Sequence, residues 1–183
     1  MTKFVALGGR PGIGWPYEGT WQREVVGSSE RLVIGPQGGH VALLEELART
    51  ARGPFGILYV LVMSRCGRAD GRYQSPVPVD ETDLSAFLRE FGTYFEDDGR
   101  HHLWIQSVSD STCIVYDHHE VLYAYGDLKR LEQVLSARGL NPGQVAIPVP
   151  HEHKFNAQFD VEEDRIMGYW NWKAFPLAPG DDD

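Results

Sequence analysis

The segment HHLWIQSVSDSTCIVYDHHEVLYAY, residues 101–125, decides the fold class. Three runs within it, His101–Ser107, Thr112–Asp117 and Glu120–Tyr125, are rich in β-branched and aromatic residues and predict strands. The connections between them have only four and two residues, which is too short for a crossover. The three strands must therefore form an antiparallel meander.

Helices and a buried strand are predicted around this meander. Between Leu84 and Phe95, apolar residues recur at helical spacing. Asp80 can cap this helix, and Gly99 ends it. The run Phe55–Met63 is almost continuously apolar, so it predicts a central strand that is buried on both faces.

Weaker patterns complete the chain. They predict helices over about 39–52 and 127–139, strands at Phe4–Leu7, Glu30–Ile34 and Gln144–Val149, and a short helix within 160–172. The order does not alternate strictly between strands and helices. It predicts an α+β fold in which a mostly antiparallel sheet of about five to six strands is covered by about three helices.

The length of 183 residues suits one domain spanning 1–183. Residues 1–29 are punctuated by glycine and proline and predict an irregular N-terminal segment. Residues 178–183 end in three aspartates and predict a solvated acidic tail. The aromatic stretch from Gly168 to Leu177 predicts a segment docked on the core, because its exposed rings would otherwise form a large apolar patch.

Charge and composition limit the possible partners. The formal net charge is −9, and residues 1–79 carry nine basic and six acidic side chains, so the remainder is strongly acidic. Such a surface repels phosphate backbones, which excludes nucleic acid, and attracts a basic protein. The longest apolar run is about half of a bilayer span, so no membrane association is expected. Two cysteines and no signal peptide favour a cytoplasmic, bacterial protein.

Two short patterns resemble motifs of known families. Residues 8–14, GGRPGIG, resemble the glycine-rich turn of short-chain dehydrogenases, and Tyr125 and Lys129 have the spacing of that family's Tyr-x-x-x-Lys pair. No helix can begin at the residues that follow, WPYEG, so a glycine-rich surface turn is the simpler interpretation. His151 and His153 resemble the start of a cupin metal motif, whose expected glutamate is missing.

The histidines are the candidates for a metal site. Six of the seven lie between residues 101 and 153. His151 and His153 are two residues apart, so they leave the same face of an extended segment. Together with His118, His119 and Asp117 they predict a divalent metal site. The alternative for His118 and His119 is a hairpin tip, where histidine tolerates a positive φ. No other cofactor is expected.

The residues between the best strand and the best helix are the candidates for ligand or partner contact. The loop runs from Ser64 to Val79, which is long for a compact domain. It carries three arginines and an aromatic hydroxyl that can hold a carboxylate or a phosphate: Arg65, Arg68, Arg72 and Tyr73. The alternative is that these arginines pair with the chain's own acids. Cys66 is a candidate nucleophile, since flanking arginines should lower its thiol pKa.

Two functions remain open at this stage. The first is a small intracellular binding or regulatory module, loosely similar in composition to bacterial toxin-neutralising proteins, whose partner is another protein or a second copy of the chain. Its contact surface is expected on the acidic helix face around Asp80–Asp98 or on the tail. The second is a metal-assisted enzyme, most simply a hydrolase, that uses the histidines with Asp117 or Glu152.

Overall fold

A computed structural model describes residues 3–7 and 17–181. This part of the chain contains four α-helices and eleven strands and belongs to the α+β class. The strands are β1 Phe4–Ala6, β2 Thr20–Val26, β3 Ser29–Gly35, β4 Phe55–Leu61, β5 Gly71–Gln74, β6 His101–Ser107, β7 Cys113–Tyr116, β8 Leu122–Tyr125, β9 Asn141–Pro142, β10 His151–His153 and β11 Lys173–Phe175. The helices are α1 His40–Ala48, α2 Glu81–Asp97, α3 Leu128–Ala137 and α4 Asp160–Tyr169.

Nine strands form one sheet in the order β11-β5-β4-β6-β7-β8-β3-β2-β9. Its neighbouring strands are antiparallel except for the parallel pair of β2 and β9. The predicted meander is present as β6, β7 and β8. Strands β1 and β10 form a separate antiparallel pair, in which Phe4 lies opposite His153 and Ala6 lies opposite His151.

The helices begin where the sequence predicts them to begin. Asp80 caps α2 by accepting a hydrogen bond from the backbone N–H of Asp83 at 2.9 Å. Asp127 caps α3 in the same way, accepting from the N–H of Arg130 at 3.3 Å. No helix in residues 3–7 and 17–181 has the length and apolar character needed to cross a membrane.

The main core lies between the nine-stranded sheet and the helices on one of its faces. The aromatic stretch near the C-terminus packs against this core, as predicted. Trp170 stacks on Phe87 of α2 with ring centroids 4.6 Å apart. The indole N–H of Trp172 donates to the backbone carbonyl of Ile166 at 2.7 Å. Phe175, on the edge strand β11, remains about half exposed.

Several sequence predictions about strands are wrong. The segment 1–29 is not irregular throughout: β1 agrees with the strand predicted at Phe4–Leu7, but β2 was missed, and it pairs with β3 over seven residues. The alternation in β2 was hidden by its polar residues, which suit a strand near the sheet edge. Gln144–Val149 is not a strand, and the chain instead pairs through β9 and β10. The loop from Ser64 to Val79 contains β5.

The counts and the tail also need correction. The sheets contain more strands than the five to six predicted, and α4 is a fourth helix. The segment 178–183 is not solvated throughout. Asp181 is 6% exposed, and its carboxylate accepts two hydrogen bonds of 2.7 Å from Arg72. A partly buried ion pair thus fixes a residue that the run of aspartates placed in solvent.

Candidate functional site

Five polar side chains from two distant parts of the sequence meet at one end of the meander. Three come from the turn between β7 and β8, and two come from β10. We call them the histidine cluster: Asp117, His118, His119, His151 and His153. The turn holds its residues in place through a hydrogen bond from the Asp117 N–H to the Val121 carbonyl at 2.9 Å.

Asp117 orients His119. One carboxylate oxygen of Asp117 accepts from the backbone N–H of His119 at 2.5 Å and from its Nδ1 at 2.7 Å. A carboxylate can only accept, so Nδ1 of His119 carries the proton and Nε2 presents a lone pair. The other oxygen of Asp117 lies 3.7 Å from Nδ1 of His102. This carboxylate–histidine pair is the arrangement that usually supports a metal-bound imidazole.

Strand β10 supplies the opposing imidazoles. Nδ1 of His151 lies 2.7 Å from the backbone carbonyl of Pro148, so it donates and leaves a lone pair on Nε2. That Nε2 lies 3.2 Å from Nε2 of His119. His153 stacks on His118 with ring centroids 3.8 Å apart. One ligand atom from each of His118, His119 and His153 falls within 4.8 Å of the others.

Burial and hydrogen bonding set the charges of His118, His153 and Asp117 in the histidine cluster. Desolvation lowers the pKa of His118 to about 2 and that of His153 to about 4. Burial alone would raise the pKa of Asp117, but the hydrogen bond from His119 and the neighbouring imidazoles outweigh it and hold that pKa well below its usual range. At neutral pH, His118 and His153 are therefore neutral imidazoles that can act as ligands beside one anionic carboxylate.

The structure thus brings together the five residues that the sequence proposed for a metal site. The alternative interpretation of His118 and His119, a hairpin tip with histidine at a positive φ, is wrong about which residue has the positive φ. Both side chains are buried, and the left-handed backbone conformation falls on Glu120, with φ 64°. The connection is longer than two residues because β7 ends at Tyr116 and β8 begins at Leu122.

Two further histidines lie at the border of this cluster. His101 points into the helix-covered core, where its ring centroid is 4.5 Å from that of Tyr94. His102 points to the opposite face of the sheet. Its Nε2 lies 2.9 Å from the backbone carbonyl of Asp181, and its ring centroid is 4.3 Å from that of His118. His102 therefore connects the histidine cluster to the second face of the sheet.

That second face carries a continuous row of apolar residues over five adjacent strands. Cross-strand neighbours in the row are Leu58, Trp104, Val115, Tyr123 and Val33. Beside it lies a cavity of about 280 Å³. Its lining residues are Arg31, His102, Trp104, Val115, Tyr123, Tyr125, Gly180 and Asp181. We call this surface the open sheet face, since the helices pack on the other side. It is covered in part, because Val33 and Val115 are buried and Val33 packs with Tyr17, Val121 and Val145 in a smaller cluster.

An arginine organises the aromatic rings of the open sheet face. The guanidinium of Arg31 lies 4.1 Å from the ring centroid of Tyr123 and donates to the Tyr125 hydroxyl at 3.0 Å. Glu24 holds it in place through a hydrogen bond of 2.7 Å. Sequence reasoning missed this site. The outward positions of four strands combine only when the register is known, although the alternation in TCIVYD and VLYAY was visible.

The arginines of the Ser64–Val79 loop pair with acids of the same chain. Arg65 donates to Asp160 at 3.0 Å, Arg68 donates to Asp164, and Arg72 forms the bidentate pair with Asp181. The Tyr73 hydroxyl donates to the carbonyl of Ala69. These contacts are the alternative that the sequence analysis left open. None of these four side chains lines the cavity of the open sheet face, so the role in ligand contact stays a prediction.

Cys66 does not have the activated thiol that its neighbours suggested. Slight desolvation and the carboxylates of Glu163, Asp160 and Asp164 raise its pKa, because the flanking arginines are themselves paired. Its Sγ lies 3.4 Å from the carbonyl of Asp160. In the described part of the chain, no hydrogen bond joins Cys66 to a histidine base. The expected lowering of its pKa is therefore wrong.

The C-terminal end of the acidic helix face is less available than the sequence suggested. Asp98 is fully buried and pairs with the equally buried Arg100, whose Nε donates to it at 2.7 Å. Arg100 donates to Glu163 of α4 as well, again at 2.7 Å. We call Asp98, Arg100 and Glu163 the arginine cluster. Sequence reasoning missed it because these charged residues resemble ordinary surface residues.

The pair proposed by analogy with short-chain dehydrogenases is not assembled. Tyr125 ends β8, whereas Lys129 lies in α3, so the two side chains do not share one helix. The glycine-rich stretch 8–14 lies outside the described residues. Comparisons of the chain with models of protein families, with curated proteins and with solved structures found no match.

Proposed function

We propose that this chain is a regulatory or toxin-neutralising module that binds a basic protein through its open sheet face. The observation that carries the proposal is the group of partly exposed aromatic side chains, Trp104, Tyr123 and Tyr125, on the face that the helices leave uncovered. An antiparallel sheet with one solvated face normally places polar residues on it. Here its central positions hold Trp104 and Tyr123, both only partly buried.

The residue types on this face are those that dominate binding energy at protein interfaces. Trp, Tyr and Arg are enriched among interface hot spots, and rings held rigidly before binding lose little entropy on binding. Trp104, Tyr123 and Tyr125 supply three rings, and Arg31 fixes two of them from the side. The cavity between them can accept one inserted side chain of the partner.

The charge of the chain favours a basic partner. The net charge is −9, and residues 80–183 carry 20 acidic and eight basic side chains, a net of −12. An acidic protein attracts a cationic partner over about a Debye length, ~8 Å at physiological salt, and this speeds association. The aromatic residues of the open sheet face then supply short-range affinity, which long-range electrostatic attraction cannot provide.

A comparison of three immobilised baits tests the proposal. The wild type, a Trp104→Ala/Tyr125→Ala double variant and a Val161→Ala control are exposed to extract of the native host, and retained proteins are identified by mass spectrometry. Val161 is 58% exposed on α4, so it is a matched apolar surface residue on another face. Each retained protein is then purified and its affinity for all three baits is measured by calorimetry.

We expect one basic protein to bind the wild type and the control equally. The double variant should bind it at least ~10-fold more weakly, since each hot-spot truncation costs more than about 1 kcal/mol. Binding should weaken as salt is raised. Equal affinity of all three baits would rule out the open sheet face. Self-association that the double variant abolishes would identify a second copy of the chain as the occupant instead.

A metal-assisted hydrolase is the second candidate, and the convergence of the histidine cluster favours it. An ion held by only three of the four imidazoles would keep one coordination position open for water, which the ion could activate. The test is hydrolysis of a nitrophenyl ester and a nitrophenyl phosphate by protein loaded with zinc. Metal-dependent turnover that His119→Ala abolishes would support this function, and turnover equal to that of the variant would exclude it.

A further inference from the structure

We propose that the histidine cluster binds one divalent transition-metal ion, with His118, His119 and His153 as ligands and His151 as the fourth. The ion belongs to the class that prefers imidazole nitrogen, such as zinc, rather than calcium or magnesium, which prefer oxygen. This site is independent of the protein-binding function proposed above, whereas the hydrolase proposed as the second candidate would require it.

Two lone pairs that face each other are the first argument. Nδ1 of His119 and Nδ1 of His151 each contact a group that can only accept, the Asp117 carboxylate and the Pro148 carbonyl. Both Nε2 atoms then present lone pairs, and they lie 3.2 Å apart. Such a pair repels unless a cation lies between the nitrogens. A proton can bridge these two imidazoles, but only a metal ion can also bind the imidazoles of His118 and His153.

The distances suit a tetrahedral ion. Zinc binds imidazole nitrogen at about 2.0–2.1 Å, so two nitrogens in a tetrahedral site lie about 3.3 Å apart. The 3.2 Å between His119 and His151 matches that spacing. The ligand atoms of His118, His119 and His153 lie within 4.8 Å of one another, and small side-chain rotations would bring them to it.

The surroundings are those of a supported metal site. Asp117 is 9% exposed and holds His119 from behind, which is the role that outer carboxylates have in metal centres. Nδ1 of His153 has no hydrogen-bond partner within residues 3–7 and 17–181, so it is available as a metal ligand. Unsatisfied buried nitrogens are costly, and a metal ion would satisfy this one.

Metal binding would also join two parts of the fold. The turn between β7 and β8 belongs to the nine-stranded sheet, whereas His151 and His153 lie on β10, which pairs with β1. An ion held by both would fix the two-stranded sheet against the larger one. We therefore expect metal to stabilise the fold and to reduce the exchange of backbone amides in β1 and β10.

Metal titration of the full chain without an affinity tag tests the site. The protein is stripped with EDTA, dialysed, and titrated with ZnCl₂ by calorimetry, with CoCl₂ as a spectroscopic probe. We expect one equivalent of zinc to bind and the cobalt form to show the intense visible absorption of a tetrahedral complex. His119→Ala and His153→Ala should each weaken zinc binding more than ~100-fold.

Two controls keep the test decisive. His40→Ala removes a histidine that stacks on Tyr116 rather than joining the cluster, so it should bind zinc like the wild type. Asp117→Asn keeps the ligands and should weaken binding about 10–100-fold, even where an alanine variant unfolds. Zinc uptake by the wild type that equals uptake by His119→Ala, or one-equivalent magnesium binding of equal affinity, would overturn the proposal.

Discussion

The arginine cluster and the histidine cluster are both buried and charged, but only the first is internally complete. In the arginine cluster, Asp98, Arg100 and Glu163 are all fully buried. The guanidinium donates to both carboxylates and to the backbone carbonyl of Asn156 at 3.1 Å. Every charge there has a partner within the chain.

In the histidine cluster, imidazole nitrogens face one another rather than a donor. Nε2 of His119 points at Nε2 of His151, and Nδ1 of His153 has no partner among the described residues. The difference distinguishes two uses of buried polarity. A complete network fixes the fold, whereas an incomplete one requires something from outside the chain. The following predictions test that distinction, from the largest expected effect to the smallest.

Removal of Arg100 should have the largest effect on stability. Arg100→Met leaves two buried carboxylates without their cation, and such a loss typically costs about 3–5 kcal/mol. The variant should unfold at a lower urea concentration, or fail to fold, when unfolding is followed by circular dichroism. The triple variant Asp98→Asn/Arg100→Met/Glu163→Gln removes the charges together and should recover part of the loss. Stability within 1 kcal/mol of the wild type in Arg100→Met would contradict a complete network.

Asp117→Asn should weaken the histidine cluster as a metal site without unfolding the chain. The change replaces an acceptor that holds His119 by an amide, so zinc affinity should fall about 10–100-fold, which corresponds to about 1.4–2.7 kcal/mol. The measurement is the rise in melting temperature on addition of zinc. At equal zinc concentration, the melting temperature of the wild type should rise more than that of the variant. In EDTA, the free energies of unfolding of the two proteins should agree to within about 1 kcal/mol.

The sequence predicted the histidine cluster but not the arginine cluster. Five residues within 117–153 were proposed as metal ligands because histidines are rare and their grouping stands out. Asp98, Arg100 and Glu163 gave no such signal, because acids and arginines on amphipathic segments are usually solvated. Arg100 and Glu163 lie 63 positions apart in the sequence, so their pairing depends on how α4 packs.

The elements of the fold also fall into two groups, those that the sequence predicted and those that it did not. The meander and α2 were predicted because their patterns are local: short connections, alternating apolar residues and a capping Asp80. Strands β9 and β10 are two or three residues long and exist only through pairing with distant partners, such as His153 with Phe4. No local pattern marked them, whereas the apolar run at Phe4–Leu7 did predict β1. The open sheet face was missed for the same reason, since it is a property of register.

Lys3 links the two clusters and gives the contrast a pH dependence. It is fully buried, and its ammonium donates to the carbonyl of Phe95 at 3.0 Å and lies 3.6 Å from the ring centroid of Tyr116. Burial lowers its pKa to about 8, although Glu120, Asp117 and Asp98 counteract this by their charge. The unfolded chain therefore binds more protons than the folded chain between about pH 8 and 10.5.

The free energy of unfolding should consequently rise with pH in that window. Between about pH 8 and 9.5 we expect a gain on the order of 1–2 kcal/mol, measured by urea unfolding in EDTA. Lys3→Met removes the titrating group, so its stability should be flatter over the same range. A wild-type stability that stays as flat from pH 8 to 9.5 as that of the variant would show that Lys3 keeps its proton in the folded chain.

The smallest effects are expected at the exposed ion pairs of the Ser64–Val79 loop, which have the chemistry of the arginine cluster without its burial. The Arg68 and Asp164 side chains are 39% and 59% exposed, so Arg68→Ala should cost less than about 0.5 kcal/mol. Arg72→Ala should cost more, about 1 kcal/mol, because its partner Asp181 is only 6% exposed and would lose a bidentate pair. Urea unfolding at low and high salt measures both, and salt should weaken the Arg68 contribution more. Equal losses of several kcal/mol at both sites would mean that burial is not what separates the arginine cluster from the surface pairs.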